Sequence, residues 1–202
     1  LVRFAIWHTR VQDFEAFVNA TGYDATKDMY SVSGDVWKQK GDAWVKQQGD
    51  TWKSPGFTQG PTHPVVGVSW EDAKAFCKWL TEKERAAGRL RAGQEYRLPT
   101  DAEWSVAAGL GPETGSTPKD KGGQIKDVYP WGTQYPPPRG AGNYFGEEAK
   151  QGFPSGWTVI KGYNDGYART SPVGSFAANA SGLFDMGGNV WQWCDDLYQP
   201  DS

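Results

Sequence analysis

The 202-residue chain contains only two histidines and two cysteines, and these scarcities exclude much chemistry at the outset. His8, His63, Cys77 and Cys194 show no zinc-type spacing. No Cys-x-x-Cys redox pair occurs, and two cysteines allow at most one bridge. Only His8 and His63 are available as imidazole bases. No Gly-x-Ser-x-Gly elbow accompanies them, and no Gly-x-x-x-x-Gly-Lys-Ser/Thr loop is present to cradle phosphates. The chain also lacks any run of about 18 apolar residues, so no membrane-spanning helix is expected. A basic excess is missing too: 21 Lys+Arg stand against 24 Asp+Glu, a net charge of −3. With no basic cluster, nucleic acid is not the expected partner. The opening Leu1-Val2-Arg3-Phe4 has neither an initiator Met nor signal-peptide flanks, which leads to the expectation that the natural polypeptide begins earlier.

What the chain does have is tryptophan, glycine and proline. Eleven Trp, 26 Gly and 13 Pro point to a loop-rich domain with an aromatic core, since each buried indole N–H needs a partner. Three helices are predicted. Thr9 precedes an apolar stripe of Val11, Phe14, Phe17 and Val18 that ends before Gly22. Ser69 and Asp72 form a capping-box variant ahead of Ala73, Phe76, Cys77 and Leu80, with Cys77 as a small core residue. Thr100 and Glu103 complete a full box before Trp104, Ala107 and Ala108. Short strands are predicted where Val2, Phe4 and Ile6 alternate and around Val190, Trp191 and Trp193. The order of elements suggests an α+β class without βαβ alternation. Residues 23–62 read as polar and irregular, with a Gly-Asp-x-Trp echo at Trp37, Trp44 and Trp52. Those three indoles either plug into the domain or form an aromatic platform for a ligand.

The late region is rich in oxygen donors. A hard cation takes six to eight oxygens from carboxylates, amides and carbonyls. Asn143 and Asp165 are two suppliers; Asp185 and Gln192, with carbonyls around Gly188 and Val190, are others. Asx-turns are the competing explanation of such loops.

Five motifs then occur in one order: His63–Ala73 with Phe76–Leu80, Tyr96–Trp104, Tyr129–Gly132, Thr170–Phe176 and Gly182–Cys194. Together they resemble the formylglycine-generating enzyme family, also called the sulfatase-modifying factor domain, over nearly the whole chain. The resemblance implies an irregular C-type-lectin-like fold and one domain over 1–202, expected to be truncated at both ends. It implies two structural calcium sites. The first would use the Asn143 side chain, the Tyr144 carbonyl, the Asp165 carboxylate and the Tyr167 carbonyl. The second would use Asp185, the carbonyls of Gly188 and Val190, and Gln192, where relatives often carry Glu; the neutral amide removes a charge and should weaken that site.

The family's copper-binding cysteine pair follows an Arg-Gly-Gly-Ser-Trp segment that is not found in these residues, and neither Cys77 nor Cys194 matches it. No catalytic residue is therefore assigned, copper is not expected here, and the chain should not act alone as a cysteine oxidase. The alternative is a ligand-binding or sensor module, part of a bacterial multidomain kinase-like protein. The partner would be a protein or peptide substrate or a small ligand, met by a monomer. Trp70, Trp79, Trp104, Trp131, Trp191 and Trp193 lie inside the motifs and are expected to be structural, which leaves Trp37, Trp44 and Trp52 as the candidates for ligand contact.

Overall fold

Local capping decides where the helices of this chain begin. The computed structural model describes residues 2–26, 36–40, 43–47, 51–151, 153 and 156–199, with the backbone alone for 36–40 and 43–47. In chain order the elements are α1 (Val11–Thr21), β1 (Val36–Lys40), β2 (Ala43–Gln47), α2 (Trp70–Ala86), α3 (Asp101–Ala108), α4 (Pro118–Lys121) and a 3₁₀ turn, η1 (Glu147–Gln151). The described residues fall into two compact units: a helical one of 9–98 and 153–157, and a loop-rich one of 1–8, 99–152 and 158–202.

In the helical unit the cap of α1 is Arg10, one residue after the expected Thr9. The Thr9 carbonyl is taken by the Val65 amide at 2.9 Å. Asp13, in the first turn, accepts the Arg10 backbone amide at 3.2 Å and its guanidinium at 2.8 and 2.9 Å. The C-terminus closes as expected on Gly22, whose φ of 68° suits a residue without a Cβ. Phe14 and Phe17 face inward with Phe76 of α2, and Trp52 joins them. Ring centroids lie 5.2 Å apart for Phe14–Trp52 and 5.8 Å for Phe17–Phe76, both edge-on. Each such pair adds about 0.5–1.5 kcal/mol beyond burial. At 3% exposure Trp52 is a core residue, which removes it from the ligand candidates.

Residues 36–47 depart from the irregular reading. β1 and β2 pair antiparallel, with Trp37 opposite Lys46 and Gln39 opposite Trp44. Lysine and glutamine dilute the apolar alternation there, so the period of two is hard to see in the sequence. The side chains of Trp37 and Trp44 lie outside the described residues.

The predicted box at the start of α2 forms in full. Ser69 Oγ accepts the Asp72 amide at 3.1 Å, and Asp72 Oδ2 accepts the Ser69 amide at 2.8 Å. Asp72 is completely buried, and its second oxygen accepts the Tyr23 hydroxyl at 3.0 Å. One carboxylate thus ties the residues just after α1 to the cap of α2.

The loop-rich unit has a thinner core of Ala107, Ala108, Leu183 and Met186, with Phe4, Trp104 and Leu110 packed on it. Thr100 and Glu103 cap α3 as predicted, at 3.2 and 2.8 Å. Neither terminal strand forms: residues 2–6 and 190–193 have no strand pairing. Val2 and Ile6 stay about half exposed, and Trp191 is wholly exposed, with Trp193 nearly half so. Those two indoles are therefore not core residues, contrary to expectation; the segment is held through Gln192, which bonds Trp104 and the Asp185 carbonyl, and through the Asp195 amide on the Pro99 carbonyl at 2.8 Å. The result is a mixed, irregular fold with low secondary-structure content.

Asp72→Ala leaves the Ser69 amide and Tyr23 hydroxyl without acceptors, and it should cost about 2–4 kcal/mol in urea unfolding. Tyr23→Phe should cost about 1 kcal/mol, whereas the exposed neighbour Glu71→Ala should change stability by less than about 0.5 kcal/mol. Equal effects for all three would remove the buried carboxylate from its anchoring role.

Candidate metal centre

Three loops of the loop-rich unit, 142–148, 163–171 and 185–192, carry the oxygen donors. Asn189 joins two of them: its side chain accepts the Ser171 amide at 3.0 Å and donates to the Ser171 carbonyl at 3.1 Å. Its own amide donates to the Asn143 carbonyl at 2.9 Å. Gly188 lies so close that a Cβ there would stand 2.6 Å from the Asn143 carbonyl oxygen and 2.9 Å from the Tyr144 ring. Only glycine allows this approach. Tyr163, almost fully buried, reaches back through its hydroxyl to donate to the Gly142 carbonyl.

The first expected donor set is brought together. Asn143 is buried, and its Nδ2 donates to the Arg169 carbonyl at 2.6 Å. The two Asp165 oxygens accept the amides of Tyr144 at 2.8 Å and Tyr167 at 2.9 Å. Burial pushes the Asp165 carboxyl up to about 6; the two backbone amides oppose that rise and the charge of Glu148 adds to it. A carboxyl raised by burial and a neighbouring negative charge fits a cation site, because a bound cation offsets both penalties. The first set offers the donor types that a hard cation takes: an amide, a carboxylate and backbone carbonyls.

The second set is different. Asp185, at 9% exposure and φ 59°, accepts the Gly174 amide through Oδ2 at 3.1 Å, while its buried Oδ1 has no partner. Gln192 is occupied at both ends: Oε1 accepts the Trp104 indole N–H at 2.5 Å, and Nε2 donates to the Asp185 carbonyl at 3.2 Å. The Gly188 carbonyl takes the Val190 amide at 2.8 Å. In this geometry Gln192 is a clasp between α3 and the 185–186 turn, and its amide does not fit the role of cation ligand. A glutamate could accept from Trp104 but could not donate to the Asp185 carbonyl.

Sequence reasoning missed two neighbours of these sets. His8 is buried beside Asp185 and Gln192, and neither ring nitrogen has a well-formed partner. Burial lowers its pKa, with the Asp185 charge and the Gln192 side chain acting the other way. Glu148, on η1, lies near Asp165. Neither residue has a spacing signal, since His8 is 177 positions from Asp185 and Glu148 reads as one of two surface acids.

Because the Asp165 carboxyl in the fold sits above its ordinary 3.8, its contribution to stability is present below that value and is lost as pH rises through about 6. In chelator, the thermal midpoint of the wild-type chain should fall more between pH 4 and 7 than that of Asp165→Asn. Parallel curves would show that Asp165 ionises freely.

The comparisons with known proteins extend over most of the chain. The sulfatase-modifying factor enzyme 1-like domain family matches residues 1–202. A formylglycine-generating enzyme of Thermomonospora curvata is 34% identical over 208 residues, covering 94% of this chain and 58% of that protein. An inactive C-alpha-formylglycine-generating enzyme 2 of Bos taurus is 33% identical over 163 residues, covering 77% of this chain and 42% of that protein. The chain thus spans about half the length of the relatives it matches. Among solved structures, PvdO from Pseudomonas aeruginosa superposes with a TM-score of 0.54 at 25% identity, over 96% of this chain and 56% of that one. With the capped helices, the irregular fold and the motif order all in agreement, the chain belongs to the sulfatase-modifying factor family, that of the formylglycine-generating enzymes.

Proposed function

We propose that residues 1–202 are the calcium-stabilised scaffold of a formylglycine-generating-enzyme-type domain, and that they do not by themselves oxidise cysteine to formylglycine. The observation that carries this reading is the state of the two thiols. Neither is in a disulfide. Cys77 sits in the middle of α2, away from the helix N-terminus that would favour a thiolate. The Cys194 thiol is pushed up to about 11 by burial and by the charges of Asp101 and Asp196. A soft metal such as copper(I) is held by thiolates, and this environment keeps the thiol protonated at neutral pH. Family membership is compatible with this reading, since a relative named as inactive is 33% identical over 77% of this chain.

Support for calcium comes from the first donor set, where the half-buried Asp165 carboxylate lies against the amides of Tyr144 and Tyr167 and is paired with no cationic side chain among the described residues. Calcium there would act on stability, by binding the folded state alone. Its chemistry at the site would be to neutralise the Asp165 charge and hold the 142–148 and 163–171 loops together.

The test of the activity reading uses the purified chain, copper(I), air and a cysteine-containing peptide, with aldehyde capture read by mass spectrometry. No aldehyde is the expected result. Aldehyde formation that disappears in Cys194→Ser would overturn the reading. In the same sample, alkylation of Cys194 at pH 8 should run roughly a hundredfold slower than that of a free thiol, and Asp196→Asn should speed it up.

A further inference from the structure

Most oxygens of the second donor set already receive an N–H. Asp185 Oδ2 takes the Gly174 amide at 3.1 Å, the Gly188 carbonyl takes the Val190 amide at 2.8 Å, and Gln192 Oε1 takes the Trp104 indole at 2.5 Å. The Gln192 amine turns donors, not lone pairs, toward the Asp185 and Met186 carbonyls, at 3.2 and 3.4 Å. Turning the amide over to offer Oε1 to a cation would set that amine against the Trp104 N–H, donor against donor. The remaining carboxylate oxygen, Asp185 Oδ1, is buried without a partner. His8 is carried to it by the backbone. The Phe184 amide donates to the Ile6 carbonyl at 2.9 Å, and a Cβ on Gly174 would lie 3.9 Å from both the Trp7 and the Phe184 rings. Residues 6–8 thus run alongside 184–185. The His8 ring lies in the cluster of Asp185 and Gln192, with both nitrogens shielded from water and without a partner.

A buried acceptor without a donor and a buried ring with a spare N–H are each costly until they are paired. We propose that this chain closes the second donor set to cations with its own N–H groups: His8 for Asp185 Oδ1, and Gln192 for the carbonyls of the 185–186 turn. In an oxygen cage a bound ion gathers acceptors from separate segments. Here an imidazole and an amide do that work. His8 fastens residues 6–8 to the 185–192 loop, and Gln192 fastens α3 to it through Trp104. Two consequences follow. Neither attachment depends on calcium, and the second set adds nothing to the calcium bound by the first. The inference departs from what the family resemblance implies for Asp185 and Gln192, and it concerns residues that the calcium reading of Asn143 and Asp165 does not use.

The test uses the 202-residue protein with Asp165→Asn, which removes the carboxylate of the first set and leaves the second intact. After chelator treatment, millimolar calcium should change neither its thermal midpoint nor the Trp104 indole N–H resonance in proton–nitrogen spectra. A rise in midpoint that disappears when Asp185→Asn is added, or a saturable shift of the Trp104 resonance, overturns the inference. The calcium reading of the first set is judged separately, by whether calcium raises the midpoint of the wild-type chain. The role of His8 is read in the wild-type protein in chelator. One slowly exchanging imidazole N–H should be present, should persist in His63→Gln, and should move or vanish in Asp185→Asn, where Asn suits the φ of 59° at that position. A folded wild-type chain whose imidazole N–H groups all exchange rapidly overturns the pairing of His8 with Asp185.

Discussion

A carboxylate or amide side chain that closes on a nearby backbone amide is the interaction on which this protein depends. A chain with so little helix and sheet leaves many peptide groups outside regular ladders, and a buried one without a partner is costly. Asp72 closes the start of α2, Asp165 holds the amides of Tyr144 and Tyr167, and Asn179 holds those of Ser181 and Leu183. Asn189 does the same for Ser171 and returns its own amine to the Ser171 carbonyl. Removing any one of these side chains breaks at least two hydrogen bonds.

That constraint explains the contrast between the two units. The helical unit buries large aromatic rings against one another, with Phe14, Phe17, Trp52 and Phe76 at its centre. The loop-rich unit has a small core built on alanines, Leu183 and Met186, so it relies more on polar closure. The same loops that need closure are those that gather oxygen atoms.

Family membership brings a scaffold, and the scaffold does not carry activity with it. The environment of Cys194 favours the neutral thiol. His8 and Gln192 show how individual residues reshape their surroundings. Gln192 can donate where a carboxylate could not, and it draws Trp104 onto the 185–186 turn. Burial lowers the pKa of the neighbouring imidazole.

How much was legible depended on the range of the interaction. The caps at Ser69 and Thr100 were readable because cap and partner are three residues apart. Thr9 was displaced by one position because its carbonyl is taken by Val65, which no local pattern reveals. The motif order named the family, and through it pointed to Asn143 and Asp165 as neighbours. Tryptophan is mixed: Trp52 is core, one of the two readings its context left open, whereas Trp191 is exposed although its motif suggested a structural role. Burial belongs to the surroundings, and residue type does not determine it. The predicted strands at 2–6 and 190–193 failed for a related reason, since a strand exists only with a partner to pair with. Sequence by itself determined the starts of α2 and α3, the turn-rich character and the family. Tertiary structure alone decided that Gln192 closes on Trp104, 88 residues away, and that Glu148 faces Tyr163 across Gly146, because contacts between distant residues follow from packing and leave no periodic trace in the chain.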